Sequence, residues 1–326
     1  MFSGITNNQE TIARKNLKRI AQNNLENIPQ NNLKNNIKNV PQNSLEAIAQ
    51  SIFQKHGVVL VTFINRAYLP FAHSWFCNTQ PFGIHSKVLV FTTDAASQET
   101  LQRRWPEVST VSLNISSLSE DQTYRKAGYV RVTVERARSV NRLLKIGVRV
   151  FLFEFDCVWL SNPLPTVLAF QRKGDIVATK VGGRDAMATG FLLLNPTSST
   201  VNLWGRFTEK MEDIMSELSD LDNDDKVKNT ILDQVILWRL VRTGFAGIRV
   251  AYLPAEAFAD GEWYKQPRHV RREGPRPIII NNNFIKGNAK KIKRARKFGH
   301  WFLDTDAAAD DVCDVDAVDA VLSDDG

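Results

Sequence analysis

Cysteine, histidine and long apolar runs are all scarce in this chain, and each scarcity removes a class of function. Only Cys77, Cys157 and Cys313 occur in 326 residues, an odd number at no metal-site or redox spacing. No disulfide framework is expected, and the three read as buried free thiols. The five histidines are scattered, with neither a His-x-x-x-His pair nor a Ser-His-Asp order to support hydrolysis by zinc or by a triad. No stretch approaches the roughly 20 apolar residues of a membrane helix. The opening MFSGITNNQE has neither a basic n-region nor an apolar h-region, so no span and no secretory address are expected in these residues. The triplet Asn114-Ile115-Ser116 is a glycosylation sequon that counts only in a secretory lumen.

What is present is apolar content of 43%, enough for a large core in one big domain or two small ones. The net charge of +7 hides an asymmetry, because nine of the 35 acidic residues and none of the 42 basic ones follow Leu303. The remaining body is strongly basic and attracts anions, whether nucleic acid, anionic lipid or a phosphorylated substrate. Residues 15–50 carry a degenerate octad (KNLKRIAQ, NNLENIPQ, then NSLEAIAQ), interrupted by Pro29 and Pro41. Its apolar pairs drift around a helix from one repeat to the next. Residues 1–56 therefore read as an Asn/Gln-rich low-complexity stalk of short, marginal helices, 57–303 as the folded domain, and 304–326 as an acidic disordered tail.

VVLVTFIN (58–65), KVLVFTT (87–93) and VRVFLFEFD (148–156) are apolar runs of the kind buried on both faces of a parallel sheet. Helical patterns lie at 67–79, 98–105 and 130–146, with a less regular stretch after position 105. This rhythm predicts an α/β architecture with a mostly parallel sheet and helices on both faces, and ligands at the carboxyl ends of the strands. Further strands are expected at 175–180, 190–196 and 247–253, and helices at 201–218 and 229–242. Residues 267–277, rich in Arg and Pro, read as a surface loop.

Glu154 and Asp156 stand two apart at the end of the apolar run FLFEFDCVWL, so at strand periodicity they share a side. Two hard oxygen donors at a strand's carboxyl end suit Mg2+ or Mn2+, which in turn would bind a diphosphate. The alternative is that both are solvated, or neutralised by Arg149 or another cation.

Several blocks around this pair occur in a recognisable order: VTFINRAYLPFAHSWFCN, KVLVFTTDAASQETL, GVRVFLFEFDCVWLSNPLP, TGFLLLNPT, LDQVILWRL, AFADGEWY and NNNFIKGNAKKIKRARKFGHW. In this the span from about Val58 to Trp301 resembles the nucleotide-diphospho-sugar transferase family that includes the plant rhamnogalacturonan xylosyltransferases. The resemblance implies a GT-A-type, Rossmann-like fold and a glycosyltransferase that moves a sugar from a nucleoside-diphosphate sugar to a glycan or glycoprotein hydroxyl. It further implies retention of configuration, a divalent metal (Mn2+ or Mg2+) and a Golgi lumen setting.

Carried over residue by residue, the family's Asp-x-Asp motif falls on Glu154 and Asp156, with Asp156 the firmer metal ligand. Asn281 stands where the family commonly has a His that completes the metal site. Thr62, Asn65 and Asp94, where the first two strands end, would meet the base and ribose, or else cap the following loops. Arg136, with Arg138 beside it, would face the diphosphate. Gly190 would allow close approach of the sugar. Asp233 and Gln234 match the pair expected beside the donor sugar and are the catalytic candidates. Lys286, with Lys290 and Lys291, would close over the diphosphate. The departures at Glu154 and Asn281 motivate a second expectation, a pseudoenzyme that binds nucleotide sugars or glycans without turnover. The basic run KKIKRARK raises nucleic acid only as a distant third, since no nucleic-acid module accompanies it.

Overall fold

The structure, a computed structural model, describes residues 44–182, 184–304 and 312–323. Most of the octad repeat, before position 44, and the tail segment 305–311 lie outside the described residues.

Helix α1 (Leu45–His56) leads into β1 (Val59–Ile64), α2 (Leu69–Thr79), β2 (Val88–Thr92), α3 (Ala95–Arg104), β3 (Ser109–Ser112), α4 (Ala127–Lys145) and β4 (Val150–Phe153). Then come β5 (Cys157–Trp159), α5 (Leu164–Ala169), β6 (Ile176–Val181), β7 (Arg184–Leu194), α6 (Ser198–Glu217) and α7 (Asp233–Arg242). The chain continues through β8 (Val250–Tyr252), β9 (Phe258–Ala259), α8 (Arg268–Glu273), β10 (Ile279–Asn281), α9 (Asn288–Lys297) and α10 (Val315–Leu322). Seven strands form one sheet in the order β3-β2-β1-β4-β7-β6-β8. All neighbours are parallel except β7, which runs antiparallel to both β4 and β6. This is the mostly parallel α/β sheet that the strand-helix rhythm predicts.

Alternation along the central strands builds two cores. Val59 and Val61 of β1, Leu89 and Phe91 of β2, and Val150 and Leu152 of β4 pack with α1, α4, α6 and α7. The residues between them, Leu60, Val88, Val90, Phe151 and Phe153, pack with Phe71, Trp75 and Phe76 of α2. Each such side chain, taken fully out of water, contributes about 1.5–3 kcal/mol. Helix α4 buries Val130, Val134, Ala137, Val140 and Leu144 at three- and four-residue spacing, the stripe that fixes which way its remaining side chains point.

Several expectations are corrected. Strand β4 stops at Phe153, and Glu154 to Asp156 form a turn closed by a bond from Cys157 N to Glu154 O (3.1 Å). The apolar run continues as β5, which joins a separate three-stranded sheet, β5-β10-β9. The run is thus two strands in different sheets. Helix α3 starts at Ala95, earlier than its pattern suggests, because Asp94 caps it. The irregular stretch contains β3, and the Arg-rich segment expected as a loop contains the short helix α8.

The packed body also runs past both compositional boundaries. Leu45, Ala49 and Ile52 of α1 are buried, and Glu46 pairs with Arg142 at 2.7 Å. In the tail, Cys313 is not a free thiol: it is disulfide-bonded to Cys77. An antiparallel bridge sets Cys313 opposite Leu303, and Val318, Val321 and Leu322 of α10 pack on the α2 core. The acidic composition conceals this apolar spacing of three and four. Cys157 alone remains a buried free thiol.

Candidate active site

The site is assembled from the turn after β4, the helices α4 and α7, strand β7 and the closing segment from β10 to α9. Glu154 is the first residue beyond β4, and its carboxylate lies directly over Gly190 of β7, where any Cβ would collide with it. Phe191 is the register partner of Phe153, which is why Gly190 meets Glu154. The glycine serves here as open space rather than as a flexible joint.

Arg136 reaches in from α4 and bridges two carboxylates, hydrogen-bonding Glu154 Oε1 at 3.3 Å and, more closely, Asp233 Oδ2. Its side chain is almost buried, and Asp233, the first residue of α7, is 2% exposed. A planar guanidinium suits such a bridge. Burial would lower the Arg136 pKa, but Asp233, Tyr129 and Glu154 outweigh it and hold it above its ordinary value. Burial, then the neighbouring Asp156, raises the Glu154 carboxyl above the usual carboxylate range, against the pull of Arg136.

Asp156 lies on the other side of the turn. Its Oδ2 accepts from Lys291 Nζ at 2.5 Å, and Lys291 also donates to the Tyr68 hydroxyl at 3.3 Å. Burial works to lower the Lys291 pKa, yet Asp156, Tyr68 and Glu154 hold the ammonium well above its usual value. The Tyr68 hydroxyl is pushed up to about 12, chiefly by burial. Asn282 ties the closing segment down, its backbone N–H donating to Asp156 O and its side-chain amide to Lys291 O, each at 3.1 Å. Arg294 in turn donates to Asn282 Oδ1 at 2.7 Å. Among the described residues, two oxygens beside this network are buried without a partner: Asp156 Oδ1 and Asn281 Oδ1.

Of the residues singled out in the sequence, Glu154, Asp156, Gly190, Arg136 and Asp233 are brought together. Gln234 follows on α7 at half burial. Thr62 is buried within β1. Asn65, just past β1, donates from Nδ2 to Glu120 O at 2.5 Å, while its Oδ1 is buried and unpartnered. Asp94 caps α3, its Oδ1 accepting from Ser97 N and its Oδ2 from Ser97 Oγ, each at 2.8 Å. Arg138 pairs with Glu135 and Glu212 instead of joining the cluster. Arg149, the suggested counter-ion, donates to Asn195 Oδ1 and Gly57 O. Lys286 is exposed, 5.8 Å over the Tyr124 ring, and Lys291 is the lysine that enters the cluster. Sequence reasoning missed Tyr68 and Tyr129. Tyr68 stands four residues past β1, so a closer reading of strand ends would have found it; nothing local marks Tyr129.

Among the described residues, no three His, Cys, Asp or Glu side chains are grouped as a metal site. What the cluster can do is hold three carboxylates beside two fixed cations next to the carboxyl end of β4, a setting for a phosphorylated ligand whose charge changes during reaction.

Residues 83–295 match the family model described as nucleotide-diphospho-sugar transferase. The chain is similar to the UDP-D-xylose:L-fucose alpha-1,3-D-xylosyltransferase MGP4 of Arabidopsis thaliana, 25% identical over 273 residues, covering 78% of this chain and 72% of that protein. It is also similar to UDP-D-xylose:L-fucose alpha-1,3-D-xylosyltransferase 1 of the same plant, 21% identical, covering 80% and 75%. Among solved structures, the galactosyltransferase LgtC in complex with donor and acceptor sugar analogs aligns at a TM-score of 0.46 and 10% identity, covering 74% of this chain and 96% of that one.

Proposed function

The chain belongs to the nucleotide-diphospho-sugar transferase family, and from that premise we propose that it transfers a sugar, with retention, from a nucleoside diphosphate to a glycan or glycoprotein hydroxyl. The observation that carries the reading is the cluster of Glu154, Asp156 and Asp233 interleaved with Arg136 and Lys291.

A divalent ion, Mn2+ or Mg2+, fits the donors that remain free. Asp156 Oδ1 and Asn281 Oδ1 are buried oxygens without partners, and hard cations of this kind are often held by one or two protein oxygens plus substrate phosphates. Asp156 and Asn281 would hold the ion, with Glu154 beside it. Bound there, it would neutralise charge on the departing diphosphate.

The other roles fall to the chain's own side chains. Lys291 and Arg136 supply fixed positive charge, and Lys286, on the exposed segment before α9, would reach the diphosphate from outside. Thr62, Asn65 and Asp94, at the ends of the first two strands, would border the place for base and ribose. The missing side chain at Gly190 lets Glu154 and the sugar approach closely. Asp233, oriented by Arg136, would align the anomeric centre or the acceptor hydroxyl, with Gln234 next to it; positioning of this kind supplies much of the acceleration in group transfer. The transferase domain is 57–303 extended by the packed helices α1 and α10, and it acts in the Golgi lumen.

An array of nucleoside-diphosphate sugars, assayed for transfer and donor hydrolysis with and without Mn2+, tests this on the native chain and on Asp156→Ala. Turnover in the first and its loss in the second are expected. Equal silence in both, with nucleotide still bound, replaces the transferase reading with that of a nucleotide-sugar-binding pseudoenzyme, the reading favoured by the departures at Glu154 and Asn281.

A further inference from the structure

We propose that Asn114 is an N-linked glycosylation site, an inference that rests on the lumenal setting of the proposed function. Two unrelated features of the molecule converge on this.

The first is the presentation of the sequon. The chain has two Asn-x-Ser/Thr triplets, Asn114-Ile115-Ser116 and Asn195-Pro196-Thr197. The second is closed to modification: proline occupies its middle position, and Asn195 is buried, its amide nitrogen donating to Gln171 O and Gly174 O. Asn114 is the opposite case. Its neighbours are pinned to the sheet, Leu113 N to Thr92 O at 2.8 Å and Ile115 N to Thr93 O at 2.6 Å. Asn114 projects from the loop between them as an exposed residue at φ +54°, a conformation asparagine tolerates better than most side chains. Its Oδ1 accepts from Ser112 Oγ at 3.0 Å, while Nδ2, the atom to be modified, engages no neighbour among the described residues, and Ser116 is exposed. A glycan on Nδ2 extends into solvent and disturbs no packed group.

The second feature is the disulfide. Asp304 N donates to Val312 O (2.8 Å) and Asp314 N to Phe302 O (3.0 Å), and this pairing, together with the packing of α10 on the α2 core, places Cys313 beside α2. There it bonds to Cys77 with the Cα atoms 5.5 Å apart, well inside the span a disulfide bridges. Such a bond forms where two thiols can pass two electrons and two protons to a disulfide-carrying oxidant, and it persists in secretory compartments rather than reducing ones. The same lumen holds lipid-diphosphate-linked oligosaccharide. In the modification, Asn114 Nδ2 forms a bond to the oligosaccharide's anomeric carbon, the bond from that carbon to the diphosphate oxygen breaks, the amide loses a proton, and the lipid diphosphate leaves.

The test is the full chain, secreted from eukaryotic cells behind a cleavable leader, beside its Asn114→Gln, Ser116→Ala and Ser116→Thr variants. A mass shift removable by an N-glycan-specific endoglycosidase is expected in the native chain and in Ser116→Thr, and is lost in the other two. Non-reducing peptide maps are expected to show one linked peptide joining Cys77 to Cys313. An unmodified Asn114 peptide in the secreted, disulfide-linked chain overturns the site, as does a shift that survives Asn114→Gln. Quantitative alkylation of both cysteines in chain isolated from its own cells overturns the lumen.

Discussion

The Lys291 ammonium stands 2.5 Å from Asp156 Oδ2, while Asp156 Oδ1, equally buried, has no partner. Removing the ammonium leaves a buried carboxylate uncompensated. Lys291→Met is expected to lose about 3–5 kcal/mol of stability, and adding Asp156→Asn to that variant is expected to restore a large part of it. Urea midpoints of the two single variants and the double variant check this; a neutral Lys291→Met means the pair is not formed as described.

Among the described residues, Arg136 is the only side chain that joins Glu154 to Asp233. Lysine keeps the charge but cannot serve both carboxylates with fixed geometry. Arg136→Lys is expected to lower kcat by about tenfold, near 1.4 kcal/mol in the barrier, with donor KM little moved. Asp233→Asn is expected to lower kcat further. Steady-state kinetics that separate kcat from KM decide it, and an unchanged kcat in both variants removes Asp233 from the chemistry.

At position 190 the prediction concerns space. A Cβ there meets only the carboxylate end of the Glu154 side chain, which is 40% exposed and free to swing aside, so Gly190→Ala is expected to cost less than about 1 kcal/mol of stability but to displace Glu154 and reduce turnover. Adding Glu154→Ala is expected to remove that small cost without restoring activity. Thermal melts paired with transfer assays read both quantities. Retained activity in Gly190→Ala shows that Glu154 need not lie over the glycine during turnover.

Two buried histidines set an acid limit. Burial is the leading cause that lowers both His85 and His300 from 6.5 to about 4. His85 Nε2 lies 3.1 Å from the Thr79 hydroxyl, and His300 Nδ1 lies 2.9 Å from the Tyr264 hydroxyl. Each folded value lies below the unfolded one, so the unfolded chain takes up the proton first as pH falls. The stability from keeping these rings neutral is therefore complete above pH 6.5 and is lost toward pH 4, by about 3 kcal/mol for each ring. Urea midpoints at pH 7, 5.5 and 4.5 are expected to fall less steeply for His300→Gln than for the native chain. Parallel slopes contradict the neutral ring.

The strands and helices were largely readable because their signal is local: β-branched runs mark β1, β2 and β4, and apolar spacing marks α4 and α6. The residues of the acidic turn, Gly190 and Asp233 were legible as a family pattern. What they do to one another was not. Nothing near Arg136 says that it bridges two carboxylates 18 and 97 positions away, or that Lys291 rather than Lys286 enters the cluster, since in a run of lysines only packing chooses.

The sequence by itself determined the α/β class, the family and the position of the acidic motif, because each is written in residue order and short-range periodicity. The tertiary structure decided that FLFEFDCVW breaks after Phe153, because Cys157–Trp159 finds its partner in Ile279–Asn281, more than a hundred residues on. It also decided that residues 312–323 dock, because a 236-residue separation is closed between Cys77 and Cys313. Contacts of that range depend on where whole elements settle against the sheet, and no local pattern encodes them.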